Sequence, residues 1–92
     1  MLRQPKLDLG QTVITQRALA TLTQEEVIAA LGSHVIGEWG ELDPRLAEAN
    51  EEAVENDESV FSAYRSHGAG TRFFVLTTAD RSLTTIFLPG DR

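Results

Sequence analysis

The sequence predicts an α+β fold with its helices first and an antiparallel meander last, on three observations. A capping box opens one helix at Thr23, and the pair Asp43-Pro44 opens a second. The last third alternates as three β-rich runs joined by short loops. Ninety-two residues, 41 % apolar and 24 % charged, supply one globular core and no second, so 1–92 reads as a single domain.

Residues 1–10 form a loose lead-in that ends at Gly10. Thr12 to Thr15 is β-branched and fits a short extra strand at a sheet edge, and Gln16 to Thr21 has room for one helical turn. In Thr23-Gln24-Glu25-Glu26 the Thr23 hydroxyl can accept from the Glu26 amide while the Glu26 carboxylate reaches back. Leu22 and Val27 stand as the hydrophobic staple. This helix is expected to run to Leu31, with Gly32 as its left-handed stop. Ser33 to Leu42 then reads as a shaped loop, because Gly37 and Gly40 bracket the chain's one tryptophan.

The second main helix is expected from Pro44 to about Glu55. Leu46, Asn50, Ala53 and Val54 share one face, and Glu48, Glu51, Glu52 and Glu55 share the other. Val60–Arg65, Arg72–Thr78 and Leu83–Leu88 are the strands, and their short connections demand antiparallel neighbours. The expected fold is therefore two main helices on a three-stranded antiparallel β-meander. Both sheet faces carry apolar side chains: one packs on the helices, and the other needs the N-terminal segment or a second copy to cover it.

Composition removes several classes of function. With no cysteine there is no disulfide, no thiolate metal site and no thiol nucleophile. No apolar run approaches the ~20 residues that span a bilayer, and Met1 to Lys6 lacks a signal-peptide h-region, so a cytoplasmic location and no membrane partner are expected. Net charge is −6, and it is concentrated: residues 23–58 hold eleven acids against Arg45 alone. Such a run serves as a solvated helix face, as a surface for a basic partner or as an imitation of a nucleic acid, and it disfavours duplex DNA, whose phosphates need clustered Lys and Arg.

His34 is the first candidate for chemistry. An imidazole beside a glycine-shaped loop can act as general acid or base near neutral pH, or it can cap the preceding helix and bond a loop carbonyl. Trp39 reads as a core anchor first and a ligand-stacking platform second. His34 with Glu38 is only two ligands, so no metal or other cofactor is expected. Asn50, polar within an apolar stripe, is expected to satisfy its amide against the tryptophan loop. His67 belongs to an exposed Gly-rich turn. In the sheet, Ser62, Tyr64, Arg65, Thr84, Thr85 and the turn residue Arg81 are either cross-strand pairs or a phosphodiester-holding cluster.

Two resemblances follow from these residues. Leu9-Gly10-Gln11, the block His34-Val35-Ile36-Gly37-Glu38-Trp39-Gly40-Glu41-Leu42, Asn50-Glu51, Ser62 to Arg65, and Thr77 to Pro89 with its Asp80-Arg81-Ser82-Leu83-Thr84-Thr85 core together resemble the small "plasmid-related protein" family of bacterial mobile elements. That resemblance covers most of the chain and implies a mobile-element setting, with no catalytic residue to carry over. A more distant likeness, of element order only, is to barnase–colicin–RelE-like ribonuclease toxins, which also place a histidine ahead of an antiparallel sheet. The leading expectation is a non-enzymatic accessory or interaction module that binds protein through Glu48, Glu51, Glu52 and Glu55 or through Glu38, Trp39 and Asn50, with a homodimer through the sheet as a further option. The competing expectation is a metal-independent ribonuclease, with RNA as its partner, that uses His34 as acid or base, Arg65 and Arg81 on the phosphate, and Thr85 beside them.

Overall fold

A computed structural model describes residues 4–91. In chain order the elements are β1 (Gln11–Ile14), α1 (Gln16–Thr21), α2 (Gln24–Val35), α3 (Pro44–Asn56), β2 (Val60–Arg65), β3 (Arg72–Thr77) and β4 (Leu83–Phe87). The fold is α+β, with one four-stranded sheet in the order β1-β4-β3-β2. The expected meander is present as β2-β3-β4. The N-terminal strand extends it on the far side, parallel to β4, so the sheet is mixed rather than three-stranded and antiparallel.

The helix starts follow local chemistry. Thr23 accepts from the Glu26 amide at 3.1 Å and its own amide donates to the Glu26 carboxylate at 3.0 Å, which closes the capping box. Asp43 accepts from the amides of Arg45 and Leu46, with Pro44 in the first turn. The helix stop after Thr23 is a correction. Gly32 lies inside α2, and the helix continues to Val35, where the Gly37 amide bonds the His34 carbonyl and the Glu38 amide bonds the Ser33 carbonyl. Gly37, at φ 84°, is the left-handed residue of this Schellman closure. One mid-helix glycine costs only ~1 kcal/mol, and the extra turn it permits carries His34 under the sheet.

Strand alternation separates two faces. Val60, Ser62, Phe73, Val75, Thr77, Thr84 and Ile86 point inward and are fully or almost fully buried. Ala18 and Leu22 of the first helical turn and Ala30 of α2 pack on Phe73, Val75, Ile86 and Leu88, while Trp39, Leu7 and Ala53 pack on Val60. Each fully buried large aliphatic or aromatic side chain contributes roughly 1.5–3 kcal/mol. The lead-in is drawn to this same side, since Leu7 is buried in the second cluster and the Lys6 amide bonds the Val35 carbonyl at 2.7 Å. It therefore does not cover the opposite face, where Phe61, Phe74 and Phe87 meet ring to ring at centroid distances of 5.2 and 5.4 Å.

The outer edge of β2 is closed by two devices. Gly40 bridges to Ala63, with the Glu41 amide on the Ala63 carbonyl and the Ala63 amide on the Trp39 carbonyl. A side chain at Gly40 would stand 2.0 Å from the Ala63 carbonyl oxygen, so only glycine permits this approach. Two residues earlier the Asn50 carboxamide serves Phe61, donating to its carbonyl and accepting from its amide. Asn50 thus satisfies a strand edge rather than the tryptophan loop. Backbone groups on an unpaired edge are the strongest partners a buried amide can find here.

Candidate functional site

His34 is brought to the inner sheet face by the extra turn of α2, and it has no exposed surface. Its Nδ1 bonds the Ser62 hydroxyl of β2, and its Nε2 lies 2.9 Å from the Thr77 hydroxyl of β3. The chain continues from Thr77 to the Thr84 hydroxyl at 2.7 Å, and Thr84 donates to the Leu9 carbonyl at 2.7 Å. Trp39 stands edge-on against the imidazole at 5.7 Å. Burial, helped by the Arg81 guanidinium, pushes the His34 pKa down to about 4, so the ring is neutral near pH 7. A serine beside a histidine nitrogen is the pairing of a nucleophile with its base. Here both side chains are sealed from solvent, and the pair serves as a polar core network instead.

Sequence reasoning placed His34 in a loop and missed Ser62 and Thr77 as its partners. The readable signal was parity: Ser62, Thr77 and Thr84 all fall on the same inward register as Val60, Val75 and Ile86.

The other candidates for phosphodiester chemistry lie apart from it. Arg81, in the β3–β4 turn at φ 63°, donates to the carbonyls of Ala53, Glu58 and Thr78 at 2.6–3.1 Å, which ties the end of α3 to the sheet. Its conformation is framed by Asp80, which accepts from Thr78 and Ser82. Those hydroxyls hold the Asp80 carboxyl down to about 2. Arg65 forks onto Glu41 with two bonds of 3.2 Å, and Arg72 donates to the Glu41 carbonyl. Thr85 faces away from His34, on the opposite side of the sheet from its neighbour Thr84, in a shallow groove with Thr15, Leu76, Phe87 and Asp91. His34, Arg65, Arg81 and Thr85 thus do not meet at one solvent-open point.

The tryptophan loop is a strut. Trp39 is buried, and its Nε1 donates to Glu51 at 2.9 Å, while Lys6 donates to the other oxygen of the same carboxylate at 2.7 Å. These bonds outweigh desolvation and hold the Glu51 pKa below its ordinary value, Lys6 first among them. Tyr64, which donates to the Glu38 carbonyl at 2.7 Å, braces the loop from β2, and burial pushes its pKa up to about 12.

Glu51, though exposed, is thus engaged by Trp39 and Lys6, and Glu48, Glu52 and Glu55 also lie on the exposed side of α3. Glu38 is also exposed, on the surface of the same loop. His67 is exposed in the β2–β3 turn, where the Glu26 carboxylate accepts its amide and the Ser66 hydroxyl. Among the described residues no group of three or more His, Asp or Glu side chains is arranged to hold a metal ion, and no helix is long and apolar enough to cross a membrane.

Comparison with protein-family models, with curated proteins and with solved structures finds no match.

Proposed function

We propose that this protein is a non-enzymatic accessory or interaction module, set in a bacterial mobile element, that engages a basic protein partner through the exposed acidic side of α3. One observation carries the reading: the only candidate acid–base residue ahead of the sheet, His34, is enclosed and has both ring nitrogens engaged with Ser62 and Thr77. A general acid or base must come within hydrogen-bond reach of its substrate, and no substrate reaches this ring in the folded state. Arg65 and Arg81 support the reading from the other side, since each is committed to acceptors within the fold. What α3 presents to solvent beyond Arg45 is predominantly negative, in Glu48, Glu52 and Glu55. Complementary charge steers association and sets specificity more than it supplies affinity. The mobile-element setting rests on the family resemblance of the sequence.

The test is a titration of isotope-labelled protein with a lysine- and arginine-rich helical peptide, run beside an assay for cleavage of single-stranded RNA. Shift changes centred on Glu48 to Glu55, weakened by salt and absent in a Glu48→Lys/Glu52→Lys/Glu55→Lys variant, are expected. RNA cleavage by the wild type that is abolished in a folded His34→Gln variant would return the ribonuclease reading to first place.

A further inference from the structure

We propose that the free edge of β1 is a strand-pairing site, to which β1 of a second copy of this chain adds antiparallel about a two-fold axis. β1 ends the sheet and is bonded on one side only, to β4. Its Gln11 amide bonds the Ser82 carbonyl at 2.9 Å, and the Thr15 amide bonds the Ile86 carbonyl at 3.0 Å. In a parallel ladder of this register alternate residues serve the same neighbour. Gln11, Val13 and Thr15 therefore face β4, while Thr12 and Ile14 turn their backbone amides and carbonyls the other way. Among the described residues no hydrogen bond reaches those outward groups.

The two edges of the sheet are treated differently. On β2 the Gly40 bridge and the Asn50 carboxamide meet the outward backbone. β1 has no such cover, and Gln11-Thr12-Val13-Ile14 contains no charge and no proline, in a register with β4 that no bulge interrupts. Those are the features that ordinarily guard an edge, and an uncharged, β-branched edge without them is a template for another strand.

Symmetry and charge select a second copy as the occupant. Setting Thr12 against Ile14 of the second copy, and Ile14 against its Thr12, meets every outward donor with an acceptor. Val13 then faces Val13 of the second copy as the close, non-hydrogen-bonded pair, with Cα atoms about 4.5 Å apart. The antiparallel sense brings the Gly10 end of each β1 to the Thr15 end of the other. The exposed Asp8 of each copy thus approaches Arg17 of the other, which holds Asp91 yet is still 62 % exposed.

The acidity of the chain does not oppose this pairing. Residues 1–22 hold three bases and one acid, and eleven of the fourteen acids lie between residues 23 and 58. α3 packs through Ala53 on Val60 of β2, at the far end of the sheet from β1. Across the joined sheet the two α3 helices stand roughly 34 Å apart at about 4.8 Å per strand, several times the ~8 Å screening length of physiological salt. Because the β2 edge is closed, assembly stops at two copies.

This inference is independent of the acidic-face reading, which concerns the opposite end of the sheet. The experiment is sedimentation equilibrium up to about 1 mM on the wild type, on Val13→Lys, on Val13→Glu, and on an equimolar mixture of the two variants. The wild type is expected to move from monomer toward twice the monomer mass. Each variant alone should show a dissociation constant raised about fivefold, because like charges stand directly opposite, and the mixture should return to within about twofold of the wild type. A wild type that stays monomeric throughout overturns the proposal. So does a mixture that associates no more tightly than its separate components, or growth beyond a dimer. Amide hydrogen exchange of the wild type needs no variant and decides should either one fail to fold. The Thr12 and Ile14 amides should slow as concentration rises, while Val13 is protected at every concentration. Thr12 and Ile14 amides indifferent to concentration overturn the pairing.

Discussion

The Asn50 carboxamide substitutes for a neighbouring strand at Phe61, meeting both the amide and the carbonyl that β2 turns outward. Its place in the apolar stripe of α3 follows from that duty. Asn50→Ala would strand two backbone groups beside the core and is expected to cost about 2–4 kcal/mol in urea unfolding. Asn50→Asp is the sharper variant, because at pH 7 the carboxylate faces the Phe61 carbonyl with no proton to donate. Its deficit against the wild type should shrink as pH falls through the carboxyl range and the proton returns.

His34 gives the fold a pH dependence of known sign. Its pKa falls from 6.5 unfolded to about 4 folded, chiefly through burial. The unfolded chain therefore binds more protons between those values. Stability is fully present above pH 6.5 and is lost as pH falls toward 4, by about 3 kcal/mol in all. Glu26, Glu51, Asp80 and Asp91, whose folded pKa values are lowered by hydrogen bonds, add their own losses only below about pH 4.5. Denaturant titrations between pH 7 and pH 4.5 should show the histidine slope in the wild type and none in His34→Gln.

Arg81 secures the C-terminal end of α3 from the β3–β4 turn. Arg81→Ala should destabilise by about 2–3 kcal/mol, since carbonyls of Ala53 and Glu58 lose charged donors. Arg81→Gly should fare better than Ala by up to about 1 kcal/mol, because the position sits at φ 63°. Thermal melts of the three proteins rank them, and an alanine variant equal to wild type would contradict the tie.

Two glycines should respond oppositely to alanine. Gly32 is helical with nothing within 4 Å of an added methyl, so Gly32→Ala is expected to stabilise by about 0.5–1 kcal/mol. Gly40, at φ 76° and against the Ala63 carbonyl, should lose at least about 2 kcal/mol along with its bridge. Guanidinium unfolding midpoints moving in opposite directions check the pair.

Local chemistry was legible in the sequence wherever a few adjacent residues decide the outcome. Thr23 with Glu26 and Asp43 with Pro44 set both main helix starts, and strand parity separated Phe73 and Val75 from Phe74 and Leu76. What was hidden depended on partners far along the chain. Gly32 reads as a stop until the His34 contacts with Ser62 and Thr77 are seen, across 28 and 43 residues. Asn50 has no visible reason until Phe61 lies beside it, and a parallel neighbour for β4 cannot be inferred from loops that report only adjacent strands. Of the candidate site residues, the exposed glutamates of α3 stayed where their spacing put them. Trp39 is the core anchor its glycine-flanked place suggested, whereas His34 and Arg81 were redirected to partners within the fold by hydrogen bonds that no local pattern records.

The pairing of β1 with β4 also bears on synthesis. During translation β1 leaves the ribosome some seventy residues before the only strand that can receive it, since Gln11 registers with Leu83 and Ile14 with Ile86. Until then the inner face lacks Thr84 and Ile86, the hydroxyl chain from His34 has no outlet to Leu9, and Thr15 and Arg17 lack the Asp91 that fastens them. The nascent chain can form helices and the β2–β3 hairpin, yet it commits to its native state only after β4 has cleared the exit tunnel. A stall before that point yields a species with an open apolar face, a natural substrate for chaperones and proteases.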